Sequence, residues 1–173
     1  GLTTSPKERQ KRLDAALEER RRIVRAKAEL KKGIKSLGSN RNFNIISYST
    51  NVDEWKSQLM PANAANRASA MKYIDALEAQ GVTATDDALA VAFRDPKVDT
   101  VYLITDGAPT HRGTRGEGMP PDALQVMQKI MTELRFWNYL RGVRIFTLGF
   151  DGAEKGFLRK LAKRHHGTYK DIK

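Results

Sequence analysis

The sequence predicts an α/β fold with a doubly wound, mostly parallel central sheet flanked by helices. Strand-like and helix-like segments alternate along the chain, an order typical of parallel strands joined by right-handed crossover helices. Two of the strand-like segments, "TVYLITD" and "VRIFTLGF", are apolar almost throughout, as strands buried on both faces are. The length of 173 residues is sufficient for one hydrophobic core.

The composition restricts the classes of protein and of site. Hydrophobic residues make up 40% of the chain and charged residues 29%, which is the balance of a soluble globular protein. No apolar run approaches the roughly 20 residues that a membrane-spanning helix needs. The first residues also lack the apolar centre of a secretory signal. Because the sequence holds no cysteine, disulfides and thiolate metal sites are excluded.

The first segment is predicted to be a basic amphipathic helix. Residues 1–40 hold twelve Lys or Arg against five Asp or Glu, so seven of the eleven net positive charges lie there. Apolar residues such as Leu13, Leu17 and Val24 recur mostly at three- and four-residue steps, with basic residues between them. We interpret the basic face as solvated surface, with lysines favoured near the helix C-terminus. The alternative is a contact with phosphate or with an anionic surface.

The next elements are a strand, its hairpin partner and two helices. The strand is "FNIISYST" (43–50), and "VDEWKSQL" follows it closely enough to pair with it. Residues 65–80 place apolar side chains at helical spacing, and Gly81 is the expected stop. The segment "TATDDALAVAF" begins with capping residue types and predicts a short helix that ends near Asp95 and Pro96.

The second half of the chain begins with the strand at 100–106, predicted to be central in the sheet. The stretch 107–121 is rich in Gly and Pro and predicts the longest loop of the chain, exposed and mobile. After it come a helix in "DALQVMQKIMTELRFWNYL", the strand "VRIFTLGF", a helix in "EKGFLRKLAKRHH" and an edge strand in "GTYKDI". Each helix of this half therefore connects two strands.

Two loops predict a candidate metal site. In open α/β sheets ligands bind beyond the carboxyl ends of the strands, where Asp106 lies. Thr83 and Thr85 belong to the loop 80–89 and can face the same crevice. A carboxylate with hydroxyls, without a histidine pair, favours a hard cation such as Mg²⁺. In the alternative interpretation Asp106 is only a turn residue before Gly107, and Thr83 only caps a helix.

Five segments in this order and spacing resemble a von Willebrand factor type A domain: "NFNIISYST", "GVTATDDALAVAF", "VDTVYLITDGAPT", "VRIFTLGF" and "FLRKLAKRHHGTY". The stretch "LMPANAANRASAMKYIDAL" with a preceding Trp resembles, more narrowly, the bacterial multidomain-protein type. The resemblance covers about residues 26–172, so a domain is predicted at 26–173 behind a basic helical extension at 1–25. It implies a Rossmann-like protein-interaction module with a metal-ion-dependent adhesion site. There a D-x-S-x-S loop, a threonine and an aspartate hold Mg²⁺ or Mn²⁺, which accepts an acidic side chain of a protein partner. By this resemblance Thr83 matches the threonine and Asp106 the aspartate.

The sequence departs from the family pattern at its start. Residues 1–25 contain neither the first strand nor the D-x-S-x-S loop, so three of the five metal-site side chains are absent. In the family that strand lies between "FNIISYS" and "TVYLITD", and a gap there would leave backbone groups unpaired at roughly 1 to 3 kcal/mol each. The strand is supplied by an upstream segment of the same protein or by another chain, or else the two flanking strands pair directly. A metal is expected only in the first two cases.

No enzyme motif is present, and the chain is predicted not to be an enzyme. Ser47, His111 and Asp106 are the residue types of a hydrolytic triad, but Ser47 lies in a strand and not in a G-x-S-x-G turn. P-loop and dinucleotide-binding patterns are also absent from the sequence. Two hypotheses remain: a metal-dependent protein binder, or an electrostatic binder of nucleic acid or an anionic surface through the helix at 7–35. Nucleic acid is the less favoured partner, because aromatic residues do not alternate with the basic ones.

Two pairs of residues are predicted to be structural. His165 and His166 close a helix, where we expect a cationic cap that favours the helix dipole. Trp55 and Trp137 are predicted to be packing residues, although Trp137 in "RFWNYLR" can also belong to a contact surface.

Overall fold

The computed structural model describes residues 5–78, 84–109 and 123–172. Its helices and strands alternate as predicted, and the α/β fold class is confirmed. The predicted loop at 107–121 lies outside the described residues from residue 110 onward.

The amino-terminal helix, α1 (Pro6–Ser36), is continuous, which confirms the predicted helix. Ser5 is its N-cap: the Ser5 Oγ accepts a hydrogen bond from the Glu8 N–H at 3.3 Å, and the Glu8 Oε2 accepts one from the Ser5 N–H at 2.8 Å. The predicted division between residues 25 and 26 falls within this helix, and it stays a prediction.

The two halves of α1 have different environments. In the first half Leu13 and Leu17 are 54% and 45% exposed. The second half packs its apolar side against the fold, where Ile34 is buried and Leu30 lies beside it. The apolar stripe predicted from the sequence is therefore buried only toward its carboxyl end.

The strand predicted at 43–50 is divided into two short strands. These are β1 (Asn42–Phe43), which pairs antiparallel with β4 (Met60–Pro61), and β2 (Ile46–Tyr48), which pairs antiparallel with β3 (Val52–Glu54). Asn44 explains the interruption, since its side chain replaces ladder bonds: the Oδ1 accepts from the Ile45 and Lys56 N–H groups, and the Nδ2 donates to the Lys56 carbonyl. The predicted hairpin is confirmed as β2–β3.

Helix α2 (Ala64–Ala76) completes a first core with α1 and β1. The Asn63 side chain caps α2 by accepting from the Asn66 N–H at 2.8 Å. Trp55 stacks on Phe43 with ring centroids 5.1 Å apart, which confirms its predicted packing role. The buried members of this core are Ile34, Phe43, Ile45, Ala62, Ala70 and Ile74.

A three-stranded parallel sheet forms the second half of the fold. Its order is β5 (Thr100–Thr105), β6 (Arg144–Gly149) and β7 (Tyr169–Asp171). Helices α3 (Thr85–Arg94), α4 (Ala123–Trp137) and α5 (Lys155–Arg164) accompany it. Trp137 packs on Phe93 with centroids 6.0 Å apart, again as predicted. The buried members of this core are Leu89, Phe93, Leu103, Val126, Ile130, Leu134, Val143, Ile145, Leu158 and Leu161.

The prediction that the strand at 100–106 is central was wrong for the described strands. β6 is the central strand of the parallel sheet, and β5 is its edge. Tyr102 on β5 is 63% exposed. The apolar composition of β5 is that of a strand covered on both faces, but no described strand pairs with its outer edge.

His165 is not the predicted cationic cap. The side chain is 5% exposed, and burial lowers the pKa of its imidazole, helped by the charges of Arg164 and His166. Asn138 donates from Nδ2 to the His165 Nδ1 at 2.9 Å and to the Val143 carbonyl at 2.8 Å, and its Oδ1 accepts from the Val143 N–H at 2.7 Å. The Nδ1 is therefore an acceptor, and the imidazole is neutral.

This environment predicts a pH-dependent stability. Because the folded-state pKa of His165 lies below its usual value of 6.5, the unfolded state binds the proton more readily. The contribution of His165 is thus complete above about pH 6.5 and is lost as the pH falls through the folded-state pKa. We expect the free energy of unfolding to fall less steeply from about pH 7 to pH 5 in His165→Gln than in the unmodified chain. The exposed neighbour gives the control: His166→Asn leaves the burial of His165, the main cause of its lowered pKa, in place and should retain most of the slope.

Candidate functional site

Asp106 is the first residue after β5, at the carboxyl end of the parallel sheet. The end of β6 lies beside it, since the Phe150 N–H donates to the Thr105 carbonyl at 3.2 Å. The Asp106 carbonyl oxygen also lies 3.1 Å from the position that a Cβ would take at Gly152. The placement predicted for Asp106 is therefore confirmed, and its backbone is held against the turn that follows β6.

A group of hydroxyls lies next to Asp106. The Tyr48 hydroxyl donates to the Ile104 carbonyl at 3.1 Å, and the buried side chains of Thr105 and Thr85 lie close enough to lower its pKa, against the larger effect of burial. The main cause of the raised pKa of Tyr48, about 12, is burial, and the charge of Asp106 adds to it. Thr85, the first residue of α3, is thus buried beside Tyr48 and Thr105. Tyr48 was not foreseen as a member of the site, because nothing in its local sequence places its side chain near Asp106.

Two charged residues at this end of the sheet, Asp86 and Arg22, were not predicted from the sequence. Asp86 in the first turn of α3 is 2% exposed, and its Oδ2 accepts from the Lys129 Nζ at 2.9 Å. This hydrogen bond raises the pKa of Lys129. Arg22 of α1 brings its guanidinium nitrogens to 3.7 and 3.9 Å from the Cβ position of Gly152. The acidic first turn of α3 was a usable sequence signal for Asp86, whereas the position of Arg22 depends on how α1 crosses the sheet.

The described donors alone do not complete a site for a divalent cation. No group of three His, Cys, Asp or Glu side chains that could hold a metal occurs in residues 5–78, 84–109 and 123–172. Mg²⁺ prefers six oxygen ligands, of which waters supply several, and Asp106 supplies one carboxylate. Thr83 lies outside the described residues, so the Thr83–Asp106 pair stays a prediction. The donor chemistry suits a hard cation but requires further oxygens.

Of the triad that the residue types allow, Ser47 lies in β2, and its Oγ is hydrogen-bonded to the hydroxyl of Tyr73 in α2 at 2.8 Å. His111 lies outside the described residues.

An open cleft of about 1820 Å³ separates β2 from β5. Among the described residues, the Arg41 guanidinium ahead of β1 lies 3.6 Å from the Asp99 carboxylate ahead of β5. At the end of β2 the Tyr48 hydroxyl donates to the Ile104 carbonyl of β5 at 3.1 Å. The direct pairing of the two strands, one of the three explanations considered above, does not occur.

Comparisons with known proteins agree on one family. A family model described as von Willebrand factor type A domain matches residues 13–171. Human inter-alpha-trypsin inhibitor heavy chain H4 is 28% identical over 185 residues, which cover 99% of this chain and 19% of that protein. Human von Willebrand factor A domain-containing protein 3A is 27% identical over 131 residues, which cover 74% of this chain and 10% of that protein. The chain therefore spans between a tenth and a fifth of the length of these relatives.

Solved structures show the same fold. A von Willebrand factor type A structure from Catenulispora acidiphila matches with a TM-score of 0.66 at 23% identity, covering 87% of this chain and 34% of that one. The PilB minor pilin of Streptococcus sanguinis matches with a TM-score of 0.55 at 16% identity, covering 87% of this chain and 49% of that one.

Of the helices that the structure describes, none is both long and apolar enough to span a membrane.

Proposed function

This chain belongs to the von Willebrand factor type A family, and from that premise we propose that it is a protein-interaction module whose binding surface surrounds Asp106. The observation that carries the proposal is the position of Asp106, directly past the carboxyl end of β5. Ligand sites of open α/β sheets lie at that end of the strands. Helix α3 also begins there, with Thr85 as its first residue.

The proposed partner contact is an acidic side chain. In the metal-dependent form of the site, Asp106 and Thr83 hold Mg²⁺ or Mn²⁺ together with the oxygens of a D-x-S-x-S loop, supplied by an upstream segment or by another chain. The metal would provide a positive charge with an open position for a carboxylate of the partner. The Arg22 guanidinium lies at the same end of the sheet and adds to the attraction for an acidic group.

Metal binding tests the proposal with Mn²⁺ as the probe. The chain is prepared with six apolar residues, a D-x-S-x-S sequence and a flexible linker fused ahead of residue 1. We expect this fusion to bind Mn²⁺ and Asp106→Asn to weaken binding at least about tenfold, since even residues outside the ligand set often contribute 10- to 100-fold. Binding is measured by electron paramagnetic resonance of free Mn²⁺.

A second aspartate provides the matched control for this experiment. Asp99 precedes β5 at the opposite, amino end of the same strand, and its side chain is 72% exposed. Asp99→Asn should therefore leave Mn²⁺ binding unchanged. Equal losses in both variants, or none in Asp106→Asn, would contradict the assignment of Asp106 to the metal.

A second candidate function is electrostatic binding through the first half of α1. This half extends outward with exposed basic residues, among them Lys11, Arg12 and Arg20. Contact with phosphates through these side chains should weaken steeply with salt and be insensitive to EDTA. The metal-dependent site should show the reverse, so one binding assay with both additions separates the two functions.

A further inference from the structure

The end of α4 and the turn after it expose three large apolar side chains. Phe136, Tyr139 and Leu140 are 74%, 81% and 90% exposed, more than any other large apolar side chain among the described residues. The Tyr139 N–H donates to the Phe136 carbonyl at 3.3 Å, a tight turn that places these two side chains on the same side. These three residues are called the apolar patch below. Exposed apolar patches with a polar rim are typical of contact surfaces.

A cavity of about 270 Å³ opens beside the apolar patch. Tyr139 belongs to both, and the other residues that line the cavity include Arg135, Asn138, Arg164, His165 and His166. They come from the ends of α4 and α5 and from the segments that lead into β6 and β7. The cavity therefore lies at the amino end of the parallel sheet. The six residues of β6, about 20 Å at 3.3 Å per residue, separate it from the opposite end, where Asp106 lies.

The cavity is positively charged. The side chains of Arg135 and Arg164 line it from α4 and α5, and both are exposed. None of the described residues forms an ion pair with either guanidinium. Glu133, the nearest acidic residue along α4, lies 3.9 Å from Lys129 instead. Two guanidinium groups with free donors thus converge on one cavity.

These arginines are not needed to complete the ends of the two helices. At the end of α5 the His165 N–H donates to the Leu161 carbonyl at 3.3 Å and to the Ala162 carbonyl at 3.1 Å. At the end of α4 the Asn138 N–H donates to the Leu134 carbonyl at 3.0 Å. Because backbone groups already satisfy these helix ends, the guanidinium donors are available to a ligand.

His165 adds a buried donor to the wall of the cavity. Its Nδ1 accepts from the Asn138 Nδ2, so the proton of the neutral imidazole lies on Nε2. The Nε2 is buried and has no hydrogen-bond partner among the described residues. Buried donors in folded proteins are nearly always paired, so this N–H calls for an acceptor from outside the chain.

We propose that the cavity and the apolar patch form a second binding site, which takes an acidic peptide segment of a protein partner. A carboxylate of the segment is bound by Arg135 and Arg164, since guanidinium groups hold carboxylates through paired N–H donors. A neighbouring apolar side chain of the segment packs on the apolar patch. The carboxylate also accepts from the His165 Nε2–H, which it reaches as the exposed side chains over the cavity turn aside.

The size and the composition of this site favour a peptide. Proteins that bind single-stranded nucleic acid spread their cations along a groove that follows the phosphates, whereas Arg135 and Arg164 face one small cavity. Arginine beside aromatic and other apolar side chains is the composition of protein interfaces. The site requires no metal and lies at the other end of the sheet from Asp106, so it is independent of the function proposed above.

The probe is a short peptide of alternating glutamate and leucine with blocked ends. It is titrated into the isotope-labelled chain and followed by NMR. We expect backbone amide shifts at 135–142 and 164–167, and a downfield shift of the His165 Hε2 proton, because a carboxylate is a strong acceptor. Peptides with glutamine in place of glutamate, or with serine in place of leucine, should bind at least about fivefold more weakly.

Arg164→Gln tests the charged part of the site. It removes a charge-assisted donor, so we expect the peptide to bind about five- to tenfold more weakly. Lys160→Gln is the matched control, since Lys160 is exposed one turn earlier on α5 and does not line the cavity. The same loss of charge there should change binding by less than about twofold. Equal losses in both variants would mean that the peptide only follows the net positive charge of the chain.

Leu140→Ser tests the apolar part. Because the side chain is 90% exposed, the substitution should leave the fold unchanged and weaken peptide binding about three- to tenfold. Leu13→Ser, at an exposed leucine of α1, is the control and should bind the peptide as the unmodified chain does. Equal binding by Leu140→Ser and the unmodified chain would contradict the contact with the apolar patch.

Three further outcomes would overturn the inference. Equal binding of the glutamine peptide would mean that the site does not recognise carboxylates. Tighter binding of single-stranded RNA or of anionic lipid vesicles at the same residues would mean that the site takes phosphate groups. A dimer of the chain with the same amide shifts in the absence of peptide would mean that a second copy covers the patch. EDTA and Asp106→Asn should leave peptide binding unchanged, so failure of the metal proposal does not affect this one.

Discussion

Gly167→Ala is expected to lower the free energy of unfolding by about 3 kcal/mol or more, because the added methyl group meets backbone. A Cβ at this position would overlap the Ile145 carbonyl and approach the Phe146 nitrogen to 3.0 Å. Neither strand can retreat, since the Ile145 N–H donates to the His165 carbonyl and the Thr147 N–H donates to the Thr168 carbonyl. Chemical denaturation followed by circular dichroism measures the loss.

Gly33→Ala is the matched control for this substitution. Gly33 lies within α1, is exposed, and has nothing within 4 Å of the Cβ position. There alanine should stabilise the chain by about 0.5 to 1 kcal/mol through its higher helix propensity. Equal free energies of unfolding in the two variants would contradict the close approach of Gly167 to the backbone of β6.

Arg67→Met is expected to cost about 3 kcal/mol, since hydrogen bonds from charged donors contribute about 1.5 to 3 kcal/mol each and several are lost together. The Arg67 Nη1 donates to the Ile34 and Lys35 carbonyls, both at 2.9 Å, and the Nη2 donates to the Leu37 carbonyl at 2.5 Å. The Nε donates to the Ala62 carbonyl at 2.8 Å. One guanidinium thus satisfies the last carbonyls of α1 and ties that helix to α2.

Further variants separate the contribution of the planar guanidinium donors of Arg67 from that of its positive charge. Arg67→Lys keeps the charge but not the planar arrangement, so it should recover less than half of the loss. Lys72→Met, an exposed position on the same helix, should change the free energy of unfolding by no more than about 0.5 kcal/mol. Full rescue by lysine would show that charge near the end of α1 is sufficient.

A second distant arginine caps a helix in the described part of the chain. The Arg141 Nη1 donates to the Phe93 carbonyl and the Nη2 to the Asp95 carbonyl, each at 2.6 Å, at the end of α3. The guanidinium also lies 5.2 Å from the Phe93 ring centroid. The sequence predicted where α3 ends from Asp95 and Pro96, but the residue that completes that end lies more than forty positions away.

The sequence could predict the part of the candidate site that depends on neighbouring residues in the chain. Asp106 follows an apolar strand directly, and the end of such a strand in an α/β sheet is where ligands bind. Tyr48 and Arg22 were not predictable, because each reaches the site from an element whose position is set by packing across the cleft. The prediction for His165 was wrong for the same reason: its neutral state depends on burial and on the contact with Asn138, and both come from tertiary packing.

The sequence by itself determined the order of helices and strands and the position of Asp106, because hydrophobic periodicity and strand ends are properties of neighbouring residues. Only the tertiary structure decided that β5 and β2 do not pair directly across the gap that the resemblance implied, and that β6 is the central strand of the described parallel sheet. Strand pairing joins residues far apart in the chain, and its register depends on which partners are available. The apolar pattern of β5 specifies burial on both faces. Among the described strands, none pairs with its outer edge.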